Sequence, residues 1–152
     1  LFRHYEPLIQ QASIFAIFIT LITGTAGNTG TQSLAVAIRK IGLHEEEQSF
    51  WKVLVQEGTT GLGIGLISGA VVFGIVSLWQ GNIVLGGIIG FAMFASIFVA
   101  ALTGTCIPFA LEKFNFDPSI ASGPFITTVN DLTSVLVYFT IVSQFISVYL
   151  AK

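Results

Sequence analysis

Four long stretches of this chain run almost without charge, and that most restricts what it can fold into. Leu8 to Ile38, Trp51 to Trp79, Ile83 to Leu111 and Pro118 to Leu150 are each longer than the ~20 residues that cross a hydrocarbon layer as a helix. Within lipid every backbone N–H and C=O must be paired inside its own segment, which leaves helices as the fold of such runs. The chain as a whole is 53% hydrophobic and 9% charged, against about 25% charged for an ordinary soluble domain. These features predict an all-α integral membrane protein, a polytopic bundle with four visible spans. The net charge of −2 and the lack of a dense basic block exclude nucleic acid as a partner. A single Cys106 allows no disulfide framework within one chain.

The polar residues between the runs set the topology. Trp51 and Trp79 stand where interfacial aromatics are expected at the two ends of the second span. Gln80-Gly81-Asn82 is a short turn that makes the third span return antiparallel. Arg39, Lys40 and Lys52 lie between spans one and two, and Lys113 between spans three and four. The excess of Lys and Arg on that side places the Arg39–Lys52 and Glu112–Asp117 loops in the cytoplasm and both visible ends outside. The first residues have no Met and no signal-peptide pattern, and read as a piece of a longer protein that starts in a loop. His4, His44 and Glu45-Glu46-Glu47 read as solvated loop residues.

Asp131 is the only charge between Pro118 and Leu150. An ionisable group inside a span is costly and marks a functional site by default. Thr127 and Thr128 precede it by four and three residues and Ser134 follows by three, so the three hydroxyls are expected on its helical face. Pro124 is expected to kink the helix and free carbonyls toward the carboxylate. In the first span, Gly27-Asn28-Thr29-Gly30-Thr31-Gln32-Ser33 offers more oxygens, on either a continuous helix or a broken one. Glu57, ahead of a Gly-rich turn, is either a second acidic point at the inner mouth or an ordinary first-turn acid. Gly61, Gly65 and Gly69 recur every four residues, as do Gly86 and Gly90, which predicts close helix packing.

Every group near Asp131 presents oxygen, and an oxygen-only site with a carboxylate suits Mg2+, Ca2+ or Mn2+ over Zn2+ or Cu+. Mg2+ keeps most of its waters and is held by one or two carboxylates. One Asp131 per chain is a weak site and two across a symmetry axis a good one, which points to a homodimer. Asp131, Asn28, Thr127, Thr128 and Glu57 are thus the candidate metal residues, with Gly27, Thr31, Gln32, Pro124 and Ser134 as candidate pore lining. A structural Asp131 bonded to Thr127 is the bland alternative. No nucleophile–base pair or phosphate loop points to an enzyme. A proton- or Na+-coupled exchanger and a non-transporting membrane scaffold are the rival functions.

Three motifs together resemble the transmembrane domain of the MgtE family of Mg2+ transporters, whose animal relatives are solute carriers. They are Gly24-Thr25-Ala26-Gly27-Asn28-Thr29-Gly30-Thr31-Gln32-Ser33, Gln56-Glu57 with the Gly-rich span after it, and Ala121-Ser122-Gly123-Pro124-Phe125-Ile126-Thr127-Thr128-Val129-Asn130-Asp131. The resemblance covers essentially the whole chain. It implies five spans per subunit, the first missing here, and a homodimer with its Mg2+ path near the two-fold axis; by their chemistry Mn2+, Co2+ and Ca2+ accept the same oxygen ligands. It puts the family's pore aspartate on Asp131, its Gly-Asn-Thr-Gly signature on Gly27 to Gly30 and its membrane-embedded glutamate on Glu57. Ser134 stands where many members carry glycine. The family also implies cytoplasmic regulatory domains as partners, which lie outside residues 1–152, so that this transmembrane ion-transport domain would be without its gate.

Overall fold

A computed structural model describes residues 2–42, 50–121 and 123–150, with side chains described from 13 to 145 within those ranges. Four long helices follow one another: α1 (Phe2–Gly42), α2 (Phe50–Gln80), α3 (Ile83–Lys113) and α4 (Pro124–Leu150), with a 3-10 turn at Pro118–Ala121. Each carries a segment long and apolar enough to cross a membrane. The chain is therefore a multi-pass, all-α membrane protein. His44 and Glu45 to Glu47 lie outside the described residues, as does the side chain of His4.

The turn between α2 and α3 is built as its residues demand. Gly81 takes φ +63°, a left-handed conformation that costs a residue without Cβ little. Asn82 caps α3, its Oδ1 accepting from the backbone N–H of Val84 at 3.0 Å and of Leu85 at 3.2 Å. At the other end of α3, Asp117 Oδ1 accepts from the Ser119 N–H at 3.0 Å and starts the 3-10 turn. That bond holds the Asp117 carboxyl below the usual carboxylate range.

Of the two polar segments, one open alternative is decided and one expectation is corrected. The first span is one unbroken helix that takes in the residues before Leu8 and runs through Gly27–Ser33 to Gly42. Its threonines satisfy themselves inside the helix: Thr23, Thr25, Thr29 and Thr31 donate to the carbonyls of Ile19, Leu21, Thr25 and Gly27 at 2.8–3.0 Å. Such back-bonding removes the reason to break the helix at membrane depth. The fourth span does not start at Pro118 with a kink at Pro124. Gly123 adopts φ +72° and α4 begins at Pro124, the first-turn position where a missing N–H is harmless. Ile120 belongs to the 3-10 turn and Pro124 opens α4, so the proline interrupts no α-helix.

α3 is the centre of the bundle, with α2 on one side and α1 and α4 on the other; α1 and α2 scarcely touch. The Gly61/Gly65/Gly69 stripe faces Ala101, Phe94 and Gly90 of α3. A Cβ on Gly69 would lie 2.8 Å from the Gly90 carbonyl oxygen, and one on Gly90 the same distance from the Gly69 oxygen. This is bundle packing of the small-residue kind, in which dispersion between close backbones replaces the hydrophobic effect that lipid cannot supply. On the other side, Phe15, Phe18 and Ile22 of α1 and Tyr138 of α4 pack on Ile89 and Ile97. The buried Tyr138 hydroxyl donates to the Phe15 carbonyl at 2.7 Å.

Candidate functional site

α4 runs antiparallel along α1: Asn130 lies against Gly30, Asp131 against Gly27 and Tyr138 against Phe15, so residue numbers rise on one helix as they fall on the other. Gly27 has no side chain, and a Cβ there would sit 3.7 Å from Asp131 Oδ1. The carboxylate thus lies over bare α1 backbone, within the segment Pro124–Phe145 that is apolar enough to cross the membrane.

Around it the chain leaves a run of oxygen-bearing residues uncovered. Asn28, Thr31 and Gln32 of α1 are exposed, as are Pro124, Thr127, Thr128 and Asp131 of α4, and Gly27 is half-buried. The threonines do not pair with Asp131. Thr127 donates to the Gly123 carbonyl at 3.2 Å, Thr128 to that of Pro124 at 2.8 Å and Thr31 to that of Gly27 at 2.8 Å. Their protons are used within the helix, so what they present outward is lone pairs, which suit a cation or the hydrogens of water. Among the described residues no hydrogen-bond donor is paired with Asp131, and none form a cluster of three or more His, Cys, Asp or Glu. The chain offers one carboxylate at this point.

Glu57 and Ser134 belong elsewhere. Glu57 is buried between α2 and α1, where the Ser33 hydroxyl donates to its Oε2 at 2.9 Å. Beside it the Lys40 ammonium donates to Gln56 Oε1. Ser33 is six residues beyond Gly27, about 9 Å along α1 and turned to a different side of the helix, so Glu57 and Asp131 do not form one chelating pair. Ser134 was expected on the face of Asp131 with the threonines. It is instead buried at 1% exposure with its hydroxyl unpaired, on the side of α4 that packs inward. Three residues correspond to about 300° of helical rotation, and the packing of α4 on α1 falls between the two.

The residues missed by sequence reasoning sit behind Asp131. The Asn130 side chain is wholly buried against Gly30, and neither its oxygen nor its nitrogen has a partner. Gly104 of α3 meets Gly30 from another direction, a Cβ there falling 2.3 Å from the Gly30 carbonyl oxygen. The only sequence signal was an amide next to the one charged residue of an apolar run.

A four-helix membrane bundle with an uncovered, oxygen-rich face on α1 and α4, and a carboxylate at membrane depth, has the make-up of a protein that handles hard cations. The family model of the MgtE divalent cation transporters matches residues 19–141, and the chain belongs to that family. It is 52% identical to the magnesium transporter MgtE of Enterococcus faecalis over 95% of this chain and 32% of that relative. It is 39% identical to the protein of the same name from Bacillus subtilis, over 94% of the chain and 32% of the relative. With the Thermus thermophilus protein it shares 30% identity over 90% of the chain and 30% of the relative. The chain spans about a third of the length of the curated relatives it matches.

Proposed function

We propose that this chain forms the ion path of a magnesium transporter in the cell membrane, moving Mg2+ into the cytoplasm between two copies related by a two-fold axis. The observation that carries the reading is the exposed α1–α4 face, where Asn28, Thr31, Gln32, Thr127, Thr128 and Asp131 stand uncovered in helices that span the bilayer. A carboxylate turned toward hydrocarbon costs about 3 kcal/mol or more. Covering that face with its own copy replaces lipid by a second oxygen-bearing wall and brings two Asp131 carboxylates to one ion.

A hydrated Mg2+ keeps its waters and needs acceptors for their hydrogens, which the Asn28 amide oxygen and the outward lone pairs of Thr127 and Thr128 supply. Glu57 is the second acidic point, nearer the cytoplasm. Arg39, Lys40, Lys52 and Lys113 orient the chain with their loops inside. A divalent ion crossing ~100 mV then gains roughly 4–5 kcal/mol, enough to drive uptake without a coupled ion. The names of the three relatives support Mg2+ as the ion. Cytoplasmic domains of the whole protein are the regulatory partners that the family implies.

Uptake into proteoliposomes tests this. An inside-negative potential is expected to drive Mg2+ inward, indifferent to pH and Na+ gradients. Absence of flux contradicts transport, and uphill Mg2+ movement driven by a proton or Na+ gradient contradicts the uncoupled mechanism.

A further inference from the structure

Among the described residues Asn130 is the most buried polar side chain on α4, with 0% exposure, and both ends of its amide lack a partner. A buried amide left in this way is costly, so its place calls for a physical reason. Its surroundings supply one. The amide lies against the bare Cα of Gly30, so close that a Cβ on Gly30 would fall 2.1 Å from Nδ2, 2.6 Å from Cγ and 2.8 Å from Oδ1. The backbone of Gly30 is in turn backed by Gly104 of α3. Three helices therefore meet at one level, through two glycines and one planar side chain.

That junction sits directly behind the candidate ion site. Gly27, one turn before Gly30 on α1, is the residue over which Asp131 Oδ1 lies. Consecutive residues of a helix are about 100° apart, so whatever fixes the azimuth of residue 130 fixes that of residue 131. A planar amide pressed on backbone has little slack. A branched apolar side chain of the same volume is not planar and cannot fit as closely, and a smaller one leaves α4 free to roll toward α1.

We propose that Asn130 is a positioning residue for Asp131, its amide wedged between α4 and the Gly30 backbone so as to set the rotation of α4 and the aim of the carboxylate. The inference rests on the reading that Asp131 holds the transported ion. It assigns Asn130 no contact with that ion.

The test compares Asn130→Leu, Asn130→Ser and Gly30→Ala with the parent and Asp131→Asn, reading half-saturating Mg2+ concentration and maximal flux separately in proteoliposomes. Misplacing a binding group by about an ångström costs ten- to a hundredfold. Asn130→Leu and Gly30→Ala, which disturb the same contact from its two sides, are expected to raise the half-saturating concentration about tenfold while maximal flux stays within about threefold. Asn130→Ser, small and polar enough to fold whatever leucine does, is expected to show a smaller shift in the same direction. Loss of packing alone would lower maximal flux through fewer working molecules and leave half-saturation where it was; that result overturns the inference. Parent-like values in the Asn130 and Gly30 variants together with flux lost in Asp131→Asn overturn it alone. Unchanged flux in Asp131→Asn overturns both the ion-site reading and this inference.

Discussion

Replacing Asp131 by alanine or asparagine is expected to reduce Mg2+ flux by at least about a hundredfold, with the protein still folded. The size follows from charge. At membrane depth a divalent ion with its waters is stabilised by fixed charge in a low-dielectric surrounding, where one well-placed group is worth about 3 kcal/mol, near a hundredfold in rate. In the proposed dimer each substitution is made twice at one ion, so both carboxylates vanish together. Asparagine keeps the volume and hydrogen-bonding capacity of aspartate and removes only the charge. The side chain is exposed on the protomer and has no paired donor among the described residues, so its loss leaves no internal bond unmade. A proteoliposome assay with a Mg2+-sensitive dye, beside a thermal melt of each variant, separates lost transport from lost fold. Unchanged flux in both variants would remove Asp131 from the mechanism.

The second large effect concerns the scaffold. Gly69→Leu and Gly90→Leu are each expected to destabilise the bundle by about 3 kcal/mol or more, at the upper end of what overpacking costs. Each added Cβ would stand 2.8 Å from a carbonyl oxygen of the facing helix, and backbone cannot turn aside as a side chain can. α2 and α3 must move apart, and in lipid close approach is itself what holds them together. Gly63→Leu is the control, since Gly63 lies on the same helix with nothing within 4 Å of an added Cβ. Thermal unfolding in detergent should fall by about 2–4 °C for each kcal/mol lost in the first two variants and stay at the parent value in the third. Equal melting of all three would mean that the α2–α3 contact is not closely packed.

The elements of this fold were legible because charge-free length is an unambiguous signal. Spans two and three lie almost where Trp51, Trp79 and the Gln80-Gly81-Asn82 turn put them. The glycine stripe on α2 also announced its use. Local chemistry near Pro124 was misread because a proline is compatible with a kink inside a helix and with the first turn of a new one. Gly123 in a left-handed conformation decides between them, and its φ is set by tertiary structure.

The candidate site was legible in residue type more than in face. α4 carries polar groups on both sides, Asp131, Thr127 and Thr128 outward, Asn130 and Ser134 inward. Spacing alone therefore could not say which side α1 would cover. The decision belongs to Gly30 and Gly104, whose missing side chains let three backbones converge, and nothing local in either glycine names its partner. Glu57 is a similar case. Its hydrogen bond joins residues 33 and 57 across the α1–α2 loop, a contact without a sequence pattern.

Water accessibility of the α1–α4 face tests the central claim most directly. In a Cys106→Ser background, single cysteines at Asn28, Thr31 and Thr128 would be treated with a membrane-impermeant thiol reagent, with Leu66→Cys as the comparison, since Leu66 is exposed on α2 away from that face. If the ion path runs between two α1–α4 faces, the first three are modified, Mg2+ slows the modification and flux stops, while Leu66→Cys stays unreactive in lipid. Reaction at Leu66→Cys with the other three positions inert, and flux intact, would put the path somewhere else in the molecule.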